Sequence, residues 1–482
     1  MWQTGLGIDI GTSQALFTYS RYPALLNALA EYPTFHMAQS APNIEKNTLL
    51  GPFFRLSPLH ADAASRDFAS PRTLDNARIR TLQQSLQMTL ATHQEHLTAI
   101  TNAFVRSSLS TRNKLLDWFA YIFNTNQKRT ATFVDPKAVA SDGFMVNVTV
   151  VLDNLCKPFM DNTFSKIDRI QVDYFRRNPR LDIKEETKIN ADQEHSDAFY
   201  STTAEGDNNF ITEVYFLTLA AHQYGAEATQ NKLKQLDKKI KEFQKHLDLM
   251  EAERPRLAAR HPERLPAMEL AQKRHIQVME GLMSYKFAIE GILADKAMQM
   301  RSLQFMKYTI VWLLRVASQS DYLPSKKIKL PLPATQPEAF RCLPEYALQV
   351  IVDSLKFTFR YNPGVMISAI GDEVVALCIT FLESSEYVKN PYLKSALVSL
   401  LYSGTWPVYH LKKGILGDII IGDKFANDHL LHALMKYYIE CESNGTSTAF
   451  YEKFNIRFEI FQIVKVIWSN DIYHKQLTES SR

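Results

Sequence analysis

The chain has 482 residues, 46% of them hydrophobic and 22% charged, the make-up of an ordinary globular protein. At this length one hydrophobic core stops growing, so two or more packed units or an extended solenoid are expected. Fifty-five basic residues against 51 acidic ones leave a net charge of +4, which gives no case for nucleic-acid binding.

The start, MWQTGLGIDIGTSQ, has no basic segment followed by an apolar one, so no secretory signal is read there. Residues 7–13 (GIDIGTS) resemble the first phosphate loop of sugar kinases and other actin-like ATPases, where a strand delivers Asp to a metal and a Gly-Thr turn offers N–H groups to phosphate. Such a site needs a second glycine-rich loop and alternating strands and helices. The following hundred residues are instead broken by proline and then helical, so an ordinary N-terminal segment is expected.

From about Thr73 helical periodicity dominates. Residues 78–104 and 111–123 are amphipathic. Residues 142–159 and 209–223 are apolar on most faces, as in the inner layer of stacked helical pairs. Between them, 177–208 is polar and poor in large aliphatics, which predicts an exposed, solvated loop. Leu233, Leu236, Ile240, Phe243, Leu247 and Met250 form a heptad seam that Pro255 is expected to end. A second helix at 267–293, after a turn at 261–266, predicts an antiparallel hairpin over about 226–294. The lysines from Lys232 to Lys245 read as its solvated outer face.

Helices are then predicted at 298–318, 344–360, 365–382, 423–441 and 450–468. A proline-rich linker at 323–337 is the best candidate boundary. Only 414–421 offers a β-branched run without helical phase, so strand content should be minor. The most apolar windows carry Arg315 and Asp372-Glu373 and do not read as membrane spans.

Candidate chemistry is sparse. Residues 417–424 (GDIIIGDK) lack the G-K-[ST] ending of a phosphate loop and predict a turn with a cap at Asp423. His429 and His432 share a helix face, the spacing of a metal pair, without acidic or cysteine partners in the pattern. Cys156, Cys342, Cys378 and Cys441 form no C-x-x-C pair, and three of them sit in apolar helical patterns, where cysteine acts as a small hydrophobe in a reducing compartment. The sequons at Asn147 and Asn444 are accordingly read as incidental and the protein as intracellular. No catalytic, cofactor-binding or metal residue is assigned.

Residues 381–402 (FLESSEYVKNPYLKSALVSLLY) read as a helix, a tight corner and another helix, with Asn390 as N-cap and Pro391 in the first turn. Their wording resembles the chain-elongating ubiquitin conjugation factors, the ubiquitin fusion degradation family. Four further strings agree in order: LGPFFRLSPL (50–59), WFAYIFNTNQKR (118–129), AVASDGFMVNVTVVLDNLCKPFM (138–160) and NFITEVYFLTLA (209–220).

With the helix pattern, the resemblance implies an all-α fold, an irregular armadillo-like helical solenoid with a projecting hairpin. Its parts would be an N-terminal segment (1–31), a first core part (32–322), the linker (323–337), a second core part (338–475) and a tail (476–482). It implies a scaffold that places substrate-linked ubiquitin near a conjugating enzyme, in ubiquitin-dependent and ER-associated degradation, in cytoplasm and nucleus, with no cofactor. The implied partners are a ubiquitin-conjugating enzyme, polyubiquitinated substrates, an AAA segregase and ubiquitin-like shuttle proteins; nucleic acid and membrane are not among them. In that family a C-terminal U-box docks the charged conjugating enzyme and positions its ubiquitin. No U-box-like segment is read here, so these residues alone are expected not to transfer ubiquitin. The alternatives are an adaptor that binds ubiquitin-pathway partners or the segregase, and the N-terminal nucleotide site.

Overall fold

A computed structural model describes residues 9–32, 35, 40–443 and 450–479. Gly7 and Ile8 of the GIDIGTS string and Asn444 of the second sequon lie outside the described residues. Among the described residues there are twenty-two α-helices and no β-strand, only the isolated bridges Lys188 to Pro344 and Val408 to Leu411. The fold is all-α. The chain divides into an N-terminal unit, Met1–Leu155 with Phe216–Asp295, and a C-terminal unit, Cys156–Tyr215 with Lys296–Arg482.

In the N-terminal unit the long helices Asn76–Ser107 and Leu109–Thr125 begin where caps demand. Asp75 accepts from Arg78 N and Ser108 from Thr111 N, each satisfying an amide the first turn leaves over. Their apolar faces meet the inner helix Asp142–Cys156, of which every residue but Asn154 is buried. Phe54 packs edge-on against Trp118 at 5.2 Å and against Phe144 at 6.4 Å. Three of the strings that carry the resemblance therefore meet in one aromatic core. Asn147 is fully buried; its amide donates to the carbonyls of Phe54 and Leu56 at 2.9 Å each and accepts from Gln94 at 3.0 Å. The first sequon is thus a structural clamp.

The hairpin comprises Ala228–Arg260 and Leu265–Leu293. Leu233, Leu236 and Leu247 of the heptad seam are buried, and Phe243 lies against His275 at 4.7 Å. Pro255 does not end the first helix, which continues to Arg260. Proline removes the hydrogen bond to the Glu251 carbonyl, but this stretch is exposed and water can satisfy it. Arg254 pairs with Glu269 at 2.7 Å and keeps the second helix alongside.

In the C-terminal unit the joint forms as the residues suggest. Asn390 caps helix Pro391–Gly404 by accepting from Tyr392 N at 2.9 Å, and its amide donates to Glu345 at 2.7 Å. Tyr387 is buried and donates its hydroxyl to the Pro333 carbonyl.

Three expectations are corrected here. Residues 177–208 are not a solvated loop: Leu181, Ile183, Ile189 and Ala191 are buried. The amides of Ile189 and Asn190 donate to Leu343 and Arg341 carbonyls, and Asp192 caps helix Gln193–Tyr200. A few well-placed aliphatics and borrowed backbone bonds order a segment whose average composition is polar. Residues 414–421 are not strand but helix Gly414–Gly422, with Ile415, Leu416 and Ile420 buried; packing overrides β-propensity. The predicted helix 365–382 breaks into Pro363–Ala369 and Glu373–Glu383. Glu373 is buried, lies 3.6 Å from Lys307, and accepts from Gly371 N at the break. Among the described residues no single helix is long and apolar enough to cross a membrane; this pair passes in length and composition together but bends by 93°.

Candidate functional site: a basic cleft over a buried ion lock

Within the N-terminal unit a cleft of about 650 Å³ opens between residues 129–142 and the root of the hairpin. Its floor is built from sequence-local rules. Helix Leu109–Thr125 ends at Asn126, whose amide donates to the Ile122 carbonyl and whose oxygen accepts from Ala140 N at 2.8 Å. One buried side chain thereby ties together both ends of the excursion from 127 to 140.

Arg129, on the short turn Gln127–Thr130, is thereby aimed inward. It donates to the carbonyls of Tyr224 and Ala140 at 2.6 Å each and to Asp142 at 2.8 Å. The other oxygen of Asp142 receives Lys232 and the Tyr285 hydroxyl, both at 2.6 Å. The Lys232 ammonium also sits 5.1 Å from the centre of the Tyr285 ring.

Burial opposes the charge on Asp142, but the cations Arg129 and Lys232 and the donated bonds outweigh it and hold the carboxyl far below its ordinary range. Burial, then the neighbouring carboxylate, pushes the Tyr285 hydroxyl well up. Neither group exchanges a proton near neutrality, which general acid–base chemistry requires. The constellation locks structure. It also leaves the cleft basic: Arg129, Lys232, Lys234 and Lys239 line it against one carboxylate that is already saturated.

A second buried polar contact in this unit joins His222 Nε2 to Asp153 at 2.9 Å where the turn His222–Glu227 widens to π-helix. Gly225 is required there, because a Cβ would lie 2.4 Å from the Thr149 hydroxyl.

The residues weighed from sequence fall elsewhere. Asp9 caps helix Ile10–Tyr19, accepting from the Thr12 amide at 2.9 Å and its hydroxyl at 3.0 Å. Asp423 accepts from Ala426 N at 3.0 Å, the expected cap, but residues 417–422 belong to helix Gly414–Gly422 and not to a turn. His432 bonds Glu383 at 2.7 Å, while His429 lies against the Phe425 ring, so the two are not brought onto one ligand. None of the four cysteines forms a disulfide, and Cys156, Cys342 and Cys378 are buried.

Cys342, His195 and Glu338 bring donor atoms within 4.8 Å of one another. Glu338 already binds Arg341 at 3.1 Å and His195. Burial pushes the Cys342 thiol up to about 11, away from the thiolate that ligates metals.

The sequence reading missed Arg129 and Asp142. Their signal was present, since Arg129 closes one quoted string and Asp142, inside the next, is the charged residue that opens its apolar helix. It also assigned Lys232 to the solvated face, whereas its ammonium is bonded to a buried carboxylate.

Among the described residues the N-terminal unit is thus all-helical, with a locked polar floor beneath an open, positively charged cleft. The comparisons give the lineage. The sequence matches the family described as the ubiquitin elongating factor core over residues 50–482, and the chain belongs to that family. It is 38% identical to the ubiquitin conjugation factor E4 of Schizosaccharomyces pombe, over 94% of this chain and 45% of that protein. It is 30% identical to the E4 ubiquitin-protein ligase UFD2 of Saccharomyces cerevisiae, over 88% of this chain and 46% of that protein. A probable ubiquitin conjugation factor E4 of Arabidopsis thaliana is 26% identical over 88% of this chain. The chain spans about half the length of the curated relatives it matches.

Proposed function

We propose that this chain is the scaffold core of a ubiquitin-chain elongation factor in ubiquitin-dependent protein degradation. On this reading it holds ubiquitinated substrate within reach of a charged conjugating enzyme, in cytoplasm and nucleus, with its helices arranged in armadillo-like fashion. The observation that carries the reading is the family match across residues 50–482. Ubiquitin transfer would then need a module that docks the conjugating enzyme, because on this reading the helical core contributes by positioning partners.

The test is a reconstituted reaction with activating enzyme, conjugating enzyme and a ubiquitinated substrate. Residues 1–482 are expected to bind the substrate and to leave its chains unextended, and robust extension by this chain alone overturns the proposal. The open basic cleft also favours a second reading, an adaptor for other pathway partners such as an AAA segregase. Co-precipitation of the segregase without ubiquitinated substrate selects that reading.

A further inference from the structure

We propose that the basic cleft of the N-terminal unit is a docking site for an acidic peptide segment of a partner protein, anchored by a large apolar residue beside Phe133.

Charge is the first argument. The lining places Arg129, Lys232, Lys234 and Lys239 around one carboxylate, Asp142, whose two oxygens already receive Arg129, Lys232 and Tyr285. Lys234 reaches only the Asn231 amide oxygen at 3.1 Å, and among the described residues no carboxylate pairs with Lys234 or Lys239. The bias continues along the helix. Between 228 and 246 stand six lysines against Asp237 and Glu242, and Asp237 is taken by Lys286 at 2.7 Å. The whole chain carries a net charge of only +4, so positive charge is concentrated here. Such a field attracts carboxylates and raises their rate of encounter.

Register is the second argument. Ala228, Asn231, Lys232, Gln235 and Lys239 line the cleft at three- and four-residue spacing, while Leu233 and Leu236 face the seam of the hairpin. One helix therefore separates a packing face from a polar face turned to the opening.

Phe133 is the third. It is 93% exposed, and its neighbours Thr130, Ala131, Thr132 and Val134 line the cleft. A phenyl ring in water beside a charged cleft favours a partner that is acidic and apolar at once, since covering the ring removes apolar surface from water. The floor is already organised by the Arg129–Asp142–Tyr285 lock, so binding need not order it. Nucleic acid is the competing polyanion, and the modest total charge favours a short acidic peptide over it.

The test is fluorescence anisotropy on the full chain with a short Asp/Glu-rich peptide carrying a central Leu or Phe. Comparators are the same peptide with the acids changed to amides, the acidic peptide without its apolar residue, and a single-stranded oligonucleotide of equal charge. The acidic–apolar peptide is expected to bind, to weaken as salt rises, and to lose roughly tenfold or more in affinity to the K234E/K239E variant. The F133A variant should lose affinity only for the peptide that carries the apolar residue. These side chains are exposed, so unchanged far-UV circular dichroism and melting of the variants separate lost docking from lost folding.

No binding of the acidic peptide, equal binding of the amide peptide, equal affinity in K234E/K239E, or preference for the oligonucleotide overturns the proposal. It stands independently of ubiquitin-chain elongation, because none of these measurements involves ubiquitin.

Discussion

Two helices of the N-terminal unit use polar residues in opposite ways. Helix Asp142–Cys156 is buried along nearly its whole length, and each of its polar side chains has a partner. Asp142 holds Arg129, Asn147 clamps two carbonyls, Thr149 donates to the Met145 and Ala221 carbonyls, and Asp153 meets His222. Helix Ala228–Arg260 buries few residues beyond its root and Leu247, and leaves most of its charges in water. A polar residue on the first helix specifies packing, because an unmet group there suffers full desolvation. On the second, Lys232, Asp237 and Arg254 are paired within the unit, while exposed lysines such as Lys234 and Lys239 remain open to a partner.

The largest break in this contrast should come from Asp142→Ala. It leaves the Arg129 guanidinium buried beside no carboxylate, and removing one partner of a buried pair costs about 4 kcal/mol. Chemical denaturation followed by circular dichroism measures it. A loss of less than about 1 kcal/mol, the size of a surface pair, would show that the lock contributes little.

Acid provides the next. His93 is buried, donates from Nε2 to the Phe53 carbonyl, and is depressed to about 4, chiefly by burial. The unfolded chain protonates at its ordinary value near 6.5 while the folded chain resists, so stability falls as pH drops from about 6.5 to about 4. The full effect is roughly 3 kcal/mol, and His93→Gln should flatten that part of the stability–pH curve.

Asn147→Ala removes two donated bonds and strands two buried carbonyls, a loss of about 2 kcal/mol in unfolding free energy that a lowered denaturation midpoint reports. On the exposed helix effects should shrink and one should change sign. Pro255→Ala restores an amide donor and should stabilise the outer hairpin by about 1 kcal/mol, less than the full interior proline penalty because the site is exposed. Hydrogen exchange around 245–260 reports it. Asp237→Asn, which removes the pair with Lys286, should cost about 0.5 kcal/mol or less.

Legibility followed the same division. Helix positions, the heptad seam and the cap at Asn390 were readable because each rests on neighbours three or four residues away. The order of residues 177–208 was not, since its stabilising bonds come from Arg341 and Leu343, more than a hundred residues distant. The break at Gly371 and the helix at Gly414–Gly422 were hidden for a related reason. A buried Glu373 paired with Lys307 and a packed face of isoleucines outweigh local preference. Of the cleft, the basic run was visible, but its floor was not, because Arg129, Asp142, Lys232 and Tyr285 meet only in space.

The sequence by itself determined that this is an all-helical member of the ubiquitin elongating factor core family, because helical periodicity, caps and family strings are written in local order. Only the tertiary structure decided which charges are structural and which are offered to a partner. That choice depends on burial and on partners from distant segments, and burial is what turns the same lysine or aspartate from a solvated charge into a fixed part of the fold.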